Sequence, residues 1–194
     1  MYPAIRDALR GALDPDPRPV ALPGDRLAAV LAPLVVLPEP TLIFTVRAPD
    51  LSRHAGEVSF PGGLLDPGEA LSDAALRETF EEIGIASPDV EILGALPPVN
   101  TSVSGILVVP FVGMVERPPA LTVSDAEITK VLSFPVAALA AVEREVEYPR
   151  EGGGVWRGWD YELEGEVVWG ATGWMLHSLL EIIRKETPWL LREP

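Results

Sequence analysis

Three glutamates occupy one short stretch of this sequence, at Glu78, Glu81 and Glu82. The stretch is predicted to be helical over residues 72–83, and at about 3.6 residues per turn the three carboxylates fall within roughly 100° of one another. Like charges one turn apart repel by a few tenths of a kcal/mol. Divalent cations bound between them would remove that repulsion, and carboxylate oxygens are ligands that Mg²⁺ prefers. The spacing therefore indicates a candidate site for a hard metal ion.

The predicted helix has clear ends and an apolar stripe. Ser72 is a suitable N-cap residue, and Gly84 supplies a C-terminal stop. Large apolar residues recur on the side opposite the glutamates, so we expect that side to pack against the core. These residues are Leu76, Phe80 and Ile83. A solvated acidic face would produce the same pattern and is common on surface helices. The flanking residues are therefore needed to distinguish a metal site from such a face.

The residues before the helix form two glycine-containing turns. Gly62 and Gly63 follow a predicted short strand, and a second turn at 66–68 leads to Glu69. Arg77 stands beside the acidic face, where its guanidinium is placed to pair with and orient a carboxylate. Turns, an arginine and clustered carboxylates together favour a functional site over a solvated face.

The segment from Gly63 to Ile85 resembles the Nudix box. That motif is a Gly, five residues, Glu, seven residues, then Arg-Glu-aliphatic-x-Glu-Glu-x-Gly-aliphatic. One aliphatic position differs, because Thr79 stands where Ile, Leu or Val is usual. Thr79 lies on the packing flank of the helix, so the difference concerns the core and not the chemistry. Every fixed residue is present, namely Gly63, Glu69, Arg77, Glu78, Glu81, Glu82 and Gly84.

The resemblance implies the Nudix fold, an α/β architecture with a mixed β-sheet sandwiched between helices and the box forming a loop–helix–loop. Matched residue by residue, it makes Glu78 and Glu82 the expected principal ligands of Mg²⁺ or Mn²⁺. Glu81 would be a further ligand or would position the attacking water. Arg77 would orient the carboxylates, and Glu69 would support them from an outer position. Glu81, Arg77 and Glu69 are thus the candidate catalytic residues.

The implied chemistry is hydrolysis of a pyrophosphate. Divalent cations neutralise the charge that repels a nucleophile, hold a water in line and stabilise the leaving phosphate. A carboxylate then accepts the proton of the water. The sequence leaves open whether Glu81 or Glu127, on another loop, does so, and Glu127 also fits a surface carboxylate before a strand. Gly63 would let the backbone approach this site.

A second pattern lies upstream of the box, in residues 42–63. It is similar to the signature of coenzyme A pyrophosphatases, in which an Arg after a strand is followed by a small residue, a basic residue, a Gly and Phe-Pro-Gly-Gly. Ser52 departs from it where a basic residue is expected. Basic residues suit phosphate binding, although pairing with acids such as Asp50 and a structural histidine are the alternatives. The candidate substrate-binding residues are Arg47, Arg53 and His54.

The resemblance therefore implies a Nudix pyrophosphatase that hydrolyses coenzyme A, and its acyl or oxidised derivatives, to 3′-phosphoadenosine 5′-phosphate and 4′-phosphopantetheine. One alternative is a Nudix hydrolase of another nucleoside diphosphate derivative, such as ADP-ribose or NADH. Another is a Nudix-fold binding module without turnover. The intact Arg77-Glu78 and Glu81-Glu82 pairs argue against the binding module, since a binder needs no catalytic metal cluster.

Composition limits the other classes of function. At 194 residues, 47% hydrophobic and 23% charged, the chain suits one domain over 1–194. A net charge of −14 argues against nucleic acid as a partner, and the apolar runs are too short for a membrane span. The absence of cysteine excludes a thiolate metal site. We expect a soluble, cytoplasmic enzyme, and its tryptophans and apolar terminal helices are compatible with a homodimer.

Helices and strands are mixed along the rest of the chain, which is typical of a layered α/β domain. Residues 27–37 fit either a helix or a strand, since Pro33 interrupts an apolar run. The predicted terminal helices cover 1–14 and 172–186, and 126–132 leads into a short helix near 135–141. Predicted strands cover 41–47, 57–60, 90–95, 106–115 and 155–163 continuing to Trp169.

Overall fold

A mixed β-sheet lies at the centre of the chain, and helices pack on both of its faces. The computed structural model describes residues 2–48, 56–101, 105–124, 128–149 and 153–191. The helices are α1 Tyr2–Ala12, α2 Leu71–Ile83, α3 Val136–Val142 and α4 Gly170–Glu186. The strands are β1 Arg26–Val35, β2 Thr41–Arg47, β3 Val58–Ser59, β4 Gly62–Leu64, β5 Glu91–Ala95, β6 Val99–Thr101, β7 Ile106–Val115, β8 Ile128–Pro135, β9 Glu143–Pro149, β10 Val155–Leu163 and β11 Glu166–Val168. This arrangement confirms the predicted α/β fold with a mixed sheet between helices.

Two long parallel strands form the middle of the sheet. β1 and β7 pair in register over their whole length, from Arg26 opposite Ile106 to Val35 opposite Val115. Both strands are covered on two faces, which explains their nearly continuous apolar sequences. Most of residues 27–37, which fit either a helix or a strand by sequence, therefore belong to the strand β1. β1 contains Pro33, although that residue has no N–H to donate to a neighbouring strand.

Shorter antiparallel strands extend this pair on both sides. β2 pairs with the C-terminal end of β1, and β4 pairs with its N-terminal end. β2 in turn pairs with β3 and β8, whereas β5 and β6 pair with β7. β4 begins with Gly62 and Gly63, so its pairing with β1 fixes the turn in front of the predicted metal site.

A separate antiparallel sheet consists of β9, β10 and β11. Sequence patterns do not predict β9, because three of its seven residues are Glu, which is depleted in strands. The prediction that β10 continues to Trp169 is wrong, because the strand ends at Leu163. Glu164 and Gly165, with φ of 54° and 81°, form a tight turn that reverses the chain into β11.

The central strands point alternate residues to opposite faces of the sheet, and a core forms on each face. On one face the main core takes side chains from α1, α3 and α4, including Ile5, Leu139 and Leu179. On the other face α2 packs through Ala74 and Ala75 against residues of β1 and β7. Within the described ranges, no helix is long and apolar enough to cross a membrane.

Helix α2 buries a different side from the one predicted. Phe80 is 56% exposed and Leu76 is half-buried, whereas Thr79 and Glu82 are buried together with the expected Ile83. Small residues on this side let the helix approach the sheet closely. Steric fit, rather than the size of the apolar side chains, therefore selects the buried side.

The two ends of α2 differ in how the chain caps them. Ser72 is not the N-cap, because the helix begins at Leu71 and follows an extended Ala70 without a side-chain cap. Glu69, two residues before the helix, is bonded to Arg77 within it. Gly84 does cap the C-terminus, with a φ of 78° and its N–H bonded to the carbonyl oxygen of Phe80.

Candidate active site

Gly62 and Gly63 bring the backbone of β4 against the acidic residues of α2. Gly62 has a φ of 149°, and a β-carbon there would lie 2.4 Å from the carbonyl oxygen of Ala29. At Gly63 a β-carbon would lie 2.5 Å from Cδ of Glu78. A side chain at Gly62 would therefore clash with the backbone of β1, and one at Gly63 would displace the Glu78 carboxylate. The Glu78 carboxylate occupies the space that Gly63 leaves free.

Glu82 lies on the buried side of α2, with only 3% of its surface exposed. The N–H of Gly62 donates a hydrogen bond to Glu82 Oε2 at 3.2 Å. A buried carboxylate needs hydrogen bonds or a cation to offset its desolvation. Glu78 and Glu82 thus face two consecutive residues of one strand, so the structure brings these two predicted ligands together.

Arg77 forms five hydrogen bonds, four to the carboxylates of Glu69, Glu78 and Glu81 and one to a backbone carbonyl. Nε and Nη2 bond the two oxygens of Glu69 at 2.8 and 2.9 Å, and Nη2 also bonds the carbonyl oxygen of Leu64 at 3.2 Å. Nη1 bonds Glu78 Oε1 at 2.8 Å and Glu81 Oε2 at 3.2 Å. The hydrogen bonds that Arg77 donates to Glu69 and then to Glu78 raise its pKa above the ordinary value, so its charge is permanent.

Glu69 is a positioning residue by its contacts, because both of its oxygens are already bonded. Besides the two bonds from Arg77, Oε2 accepts the N–H of Asp66 at 2.9 Å. These bonds, that from Arg77 first, lower the pKa of Glu69 to about 2. Glu69 therefore stays ionised at neutral pH and anchors Arg77.

The donor set consists of glutamate oxygens, which suits a hard divalent cation such as Mg²⁺ or Mn²⁺. Glu78 and Glu81 share one nitrogen of Arg77, and Glu78 and Glu82 face adjacent glycines. In the part of the chain that the structure describes, no three His, Asp or Glu side chains already stand in positions that would hold a metal ion. The residues fit the cation in chemical kind, and Glu78, Glu81 and Glu82 remain the predicted ligands.

A backbone contact that sequence patterns do not show holds the C-terminal end of α2. The N–H of Thr122 bonds the carbonyl oxygen of Ile83 at 3.0 Å, and the N–H of Ser124 bonds that of Glu82 at 2.9 Å. A β-carbon on Gly84 would lie 3.0 Å from the backbone nitrogen of Thr122. The segment before β8 is therefore attached to the residue that carries the buried carboxylate.

The predicted substrate-binding residues are only partly within the described residues. Arg47 ends β2, where its N–H bonds the carbonyl oxygen of Glu57 at 3.1 Å. Its Nε is buried and has no hydrogen-bond partner among the residues described. Arg53 and His54, and the alternative base Glu127, lie outside them.

A mixed sheet between helices, with a diglycine strand facing a glutamate helix and its arginine, defines a Nudix-type domain. The NUDIX domain family matches residues 26–153, and this chain belongs to the Nudix family. The Nudix hydrolase NudL of Klebsiella pneumoniae subsp. pneumoniae is 41% identical over 86% of this chain and 87% of its own length. NudL of Pectobacterium atrosepticum is 36% identical over 86% of each chain.

A solved structure shows the same fold at low sequence identity. The crystal structure of a MutT/nudix family protein from Enterococcus faecalis superimposes with a TM-score of 0.58. The match covers 87% of this chain and 66% of the other, at 16% identity. The predicted Nudix fold is thereby confirmed.

Proposed function

We propose that this Nudix hydrolase cleaves the diphosphate bridge of coenzyme A, and of its acyl or oxidised derivatives. The products are 3′-phosphoadenosine 5′-phosphate and 4′-phosphopantetheine or its derivative. The observation that carries the hydrolytic part is the placement of the Glu78 and Glu82 carboxylates against Gly63 and Gly62. The support for coenzyme A as substrate is the pattern of residues 42–63, which resembles the coenzyme A pyrophosphatase signature.

Nudix hydrolases generally need divalent metal ions. In this chain Glu78 and Glu82 would hold the cation, with Glu81 as a third carboxylate. Bound Mg²⁺ or Mn²⁺ supplies positive charge that offsets the charge of the diphosphate and polarises its phosphorus–oxygen bonds. Arg77 keeps the Glu78 and Glu81 side chains in place, so little reorganisation is needed when the diphosphate binds.

Glu81 is the carboxylate best suited to accept a proton from water. Its side chain is 56% exposed, whereas Glu82 is buried and both oxygens of Glu69 are already bonded. In the proposed step a water oxygen forms a bond to one phosphorus, and the bond from that phosphorus to the bridging oxygen breaks. The water proton passes to Glu81, and the other phosphate leaves as an anion.

Arg47 is the described residue that supports recognition of the substrate. Its guanidinium has a buried N–H on Nε with no partner among the described residues, so this donor needs an acceptor from elsewhere. A phosphate oxygen is a suitable acceptor, and coenzyme A carries a 3′-phosphate besides its diphosphate. Arg53 and His54 belong to the same proposal on sequence grounds.

Product analysis with a panel of substrates tests the proposed reaction. Coenzyme A, dephospho-coenzyme A, ADP-ribose and NADH are each incubated with Mg²⁺ or Mn²⁺, and the products are separated by chromatography. We expect coenzyme A to have the highest kcat/KM and to release 3′-phosphoadenosine 5′-phosphate. A preference for ADP-ribose or NADH would reject coenzyme A as the substrate but keep the hydrolytic mechanism. No cleavage of any of the four would point to a binding module.

Glu82→Gln tests the role of the buried carboxylate. Glutamine keeps an oxygen for the Gly62 N–H but removes the charge, so we expect an intact fold by circular dichroism and loss of turnover. Glu162→Gln changes an exposed glutamate on β10 and should leave turnover unchanged. Undiminished hydrolysis by the Glu82 variant, with an unchanged metal response, would remove Glu82 from the mechanism.

A further inference from the structure

The guanidinium of Arg77 uses the same carboxylates that the proposed function assigns to the cation. Its Nη1 lies 2.8 Å from Glu78 Oε1 and 3.2 Å from Glu81 Oε2. A full positive charge therefore already lies within hydrogen-bond distance of two of the three expected ligands. A divalent cation bound to these oxygens would share them with Arg77, and the two like charges would repel each other.

Arg77 cannot leave the site easily, because its other bonds do not involve those ligands. Nε and Nη2 are held by both oxygens of Glu69 and by the carbonyl oxygen of Leu64. Only 27% of the Arg77 side chain is exposed, and 15% of that of Glu69. The bidentate pair fixes the plane of the guanidinium, so the positive charge stays near Glu78 and Glu81 whatever else they bind.

We propose that Arg77 is a fixed counter-charge that lowers the affinity of this site for divalent cations while it keeps Glu78 and Glu81 oriented. The proposal rests on the proposed function, since it takes these glutamates as cation ligands. Its consequence is that the cation binds weakly to the protein alone. The oxygens of a diphosphate then add ligands and negative charge, so cation and substrate bind more tightly together than either does separately.

Binding of Mn²⁺ alone, without substrate, separates the charge of Arg77 from its orienting role. Free Mn²⁺ is measured by electron paramagnetic resonance for the full chain and for the variants Arg77→Gln and Arg77→Lys. Glutamine removes the charge, so we expect the Kd for Mn²⁺ to fall about tenfold although turnover is lost. Lysine keeps the charge but not the bidentate geometry, so we expect a Kd within about threefold of wild type.

A purely orienting role of Arg77 predicts a different effect on the Kd for Mn²⁺. If Arg77 only held the carboxylates in place, both variants would bind Mn²⁺ more weakly than wild type, and that result would overturn the proposal. Failure of the wild type and of Arg77→Gln to bind Mn²⁺ at all would overturn the metal site of the proposed function as well. Wild-type binding with an unchanged Kd in Arg77→Gln would overturn only the counter-charge proposal.

A measurement on the wild-type protein covers the case in which the variants fold poorly. The ¹⁵N–¹H signals of the Arg77 side chain are followed while Mg²⁺ is added. We expect the Nη1 signal to shift, because its acceptors bind the cation, while the Nε signal bonded to Glu69 persists. Loss of the Nε signal on addition of Mg²⁺ would show that Arg77 leaves Glu69, and a guanidinium that moves away contradicts a fixed counter-charge.

Discussion

Gly63 is the residue at which the backbone of β4 and the Glu78 carboxylate come closest. In Gly63→Ala the added methyl group would lie 2.5 Å from Cδ of Glu78, so the carboxylate has to move. A misplacement of about 1 Å at a catalytic site costs about 100-fold in rate. We therefore expect kcat to fall about 100-fold, measured by steady-state hydrolysis of the best substrate.

The matched control for this variant is Gly11→Ala in α1. A β-carbon at Gly11 meets no atom within 4 Å, and alanine is the better helix former. We expect full activity and a gain of about 0.5–1 kcal/mol in the free energy of unfolding. Equal activity of the Gly63 and Gly11 variants would contradict the contact between Gly63 and Glu78.

Thr79 stands at the one aliphatic position of the box where this chain differs. It is fully buried, and its hydroxyl donates to the carbonyl oxygen of Ala75 at 2.6 Å. That carbonyl also accepts a helical N–H, so Thr79→Val leaves no buried group unpaired. We expect a free energy of unfolding within about 1 kcal/mol of wild type by thermal melting, and unchanged turnover. Lost turnover in a stable Val variant would instead assign the hydroxyl a role in placing Glu82.

The charged residues of the site could be predicted from the sequence, whereas their backbone partners could not. Metal chemistry requires acidic side chains, and helical spacing places Glu81 within reach of both Arg77 and Glu78. The carbonyl of Leu64 and the N–H groups of Thr122 and Ser124 are backbone groups, and every residue except proline has both. No side-chain pattern predicts these backbone contacts. Only the structure shows that Leu64 bonds Arg77 and that Thr122 and Ser124 bond the C-terminal end of α2.

At the level of elements, the sequence predicts long apolar strands more accurately than it predicts which side of a helix is buried. β2 and β7 follow directly from β-rich runs, and both have the predicted bounds. The buried side of α2 does not follow from its large apolar residues, because Ala74 and Ala75 pack against the sheet while Phe80 is exposed. The side of a helix that packs depends on its contacts with distant strands, which are tertiary and leave no local pattern.

Glu143 ties the second sheet to α4. Its side chain is 10% exposed and accepts hydrogen bonds from Tyr161 at 2.7 Å, His177 Nδ1 at 3.0 Å and Arg184 Nη2. Trp159 covers the histidine, with ring centroids 3.8 Å apart. Three elements thus meet at one carboxylate, which explains how a strand as polar as β9 is held in place.

The acid stability of the protein should depend on Glu143. Burial opposes its charge, but the hydrogen bonds from Tyr161, His177 and Arg184 outweigh burial and lower its pKa below the ordinary 4.5. The unfolded chain therefore takes up this proton first as the pH falls, and the stability from Glu143 is lost progressively below about pH 4.5. In Glu143→Gln we expect a loss of about 2 kcal/mol at pH 7 and a flatter acid limb.

Urea unfolding at several pH values between 3 and 7 checks this expectation. Glu145→Gln is the matched control on the same strand, since Glu145 is half exposed and its 3.7 Å pair with Arg157 is a surface ion pair of little energetic value. We expect the control to follow wild type at every pH. An acid limb in Glu143→Gln as steep as that of wild type would assign the pH dependence to other groups.

At the scale of the whole molecule, the N-terminal segment protects an edge of the sheet. Asp14 and Ala95 exchange backbone hydrogen bonds at 3.0 and 2.7 Å, so the residues after α1 cover the end of β5. A β-carbon at Gly94 would lie 2.7 Å from Leu13 Cβ, so this crossing needs a glycine. The sequence predicts α1 but not its position, because contacts between distant segments leave no local pattern.

The net charge of −14 acts on the substrate before any specific contact forms. Coenzyme A and other nucleoside diphosphate derivatives are anions, so the field of the protein slows their approach, and salt screens this repulsion over a Debye length of about 10 Å at 0.1 M. With the metal saturating, we expect kcat/KM to rise about two- to fivefold between 20 and 200 mM NaCl, while kcat at saturating substrate stays constant. Steady-state kinetics at fixed free Mg²⁺ measures both. A kcat/KM that falls with salt would mean that the basic residues around Arg47 attract the substrate more strongly than the net charge repels it.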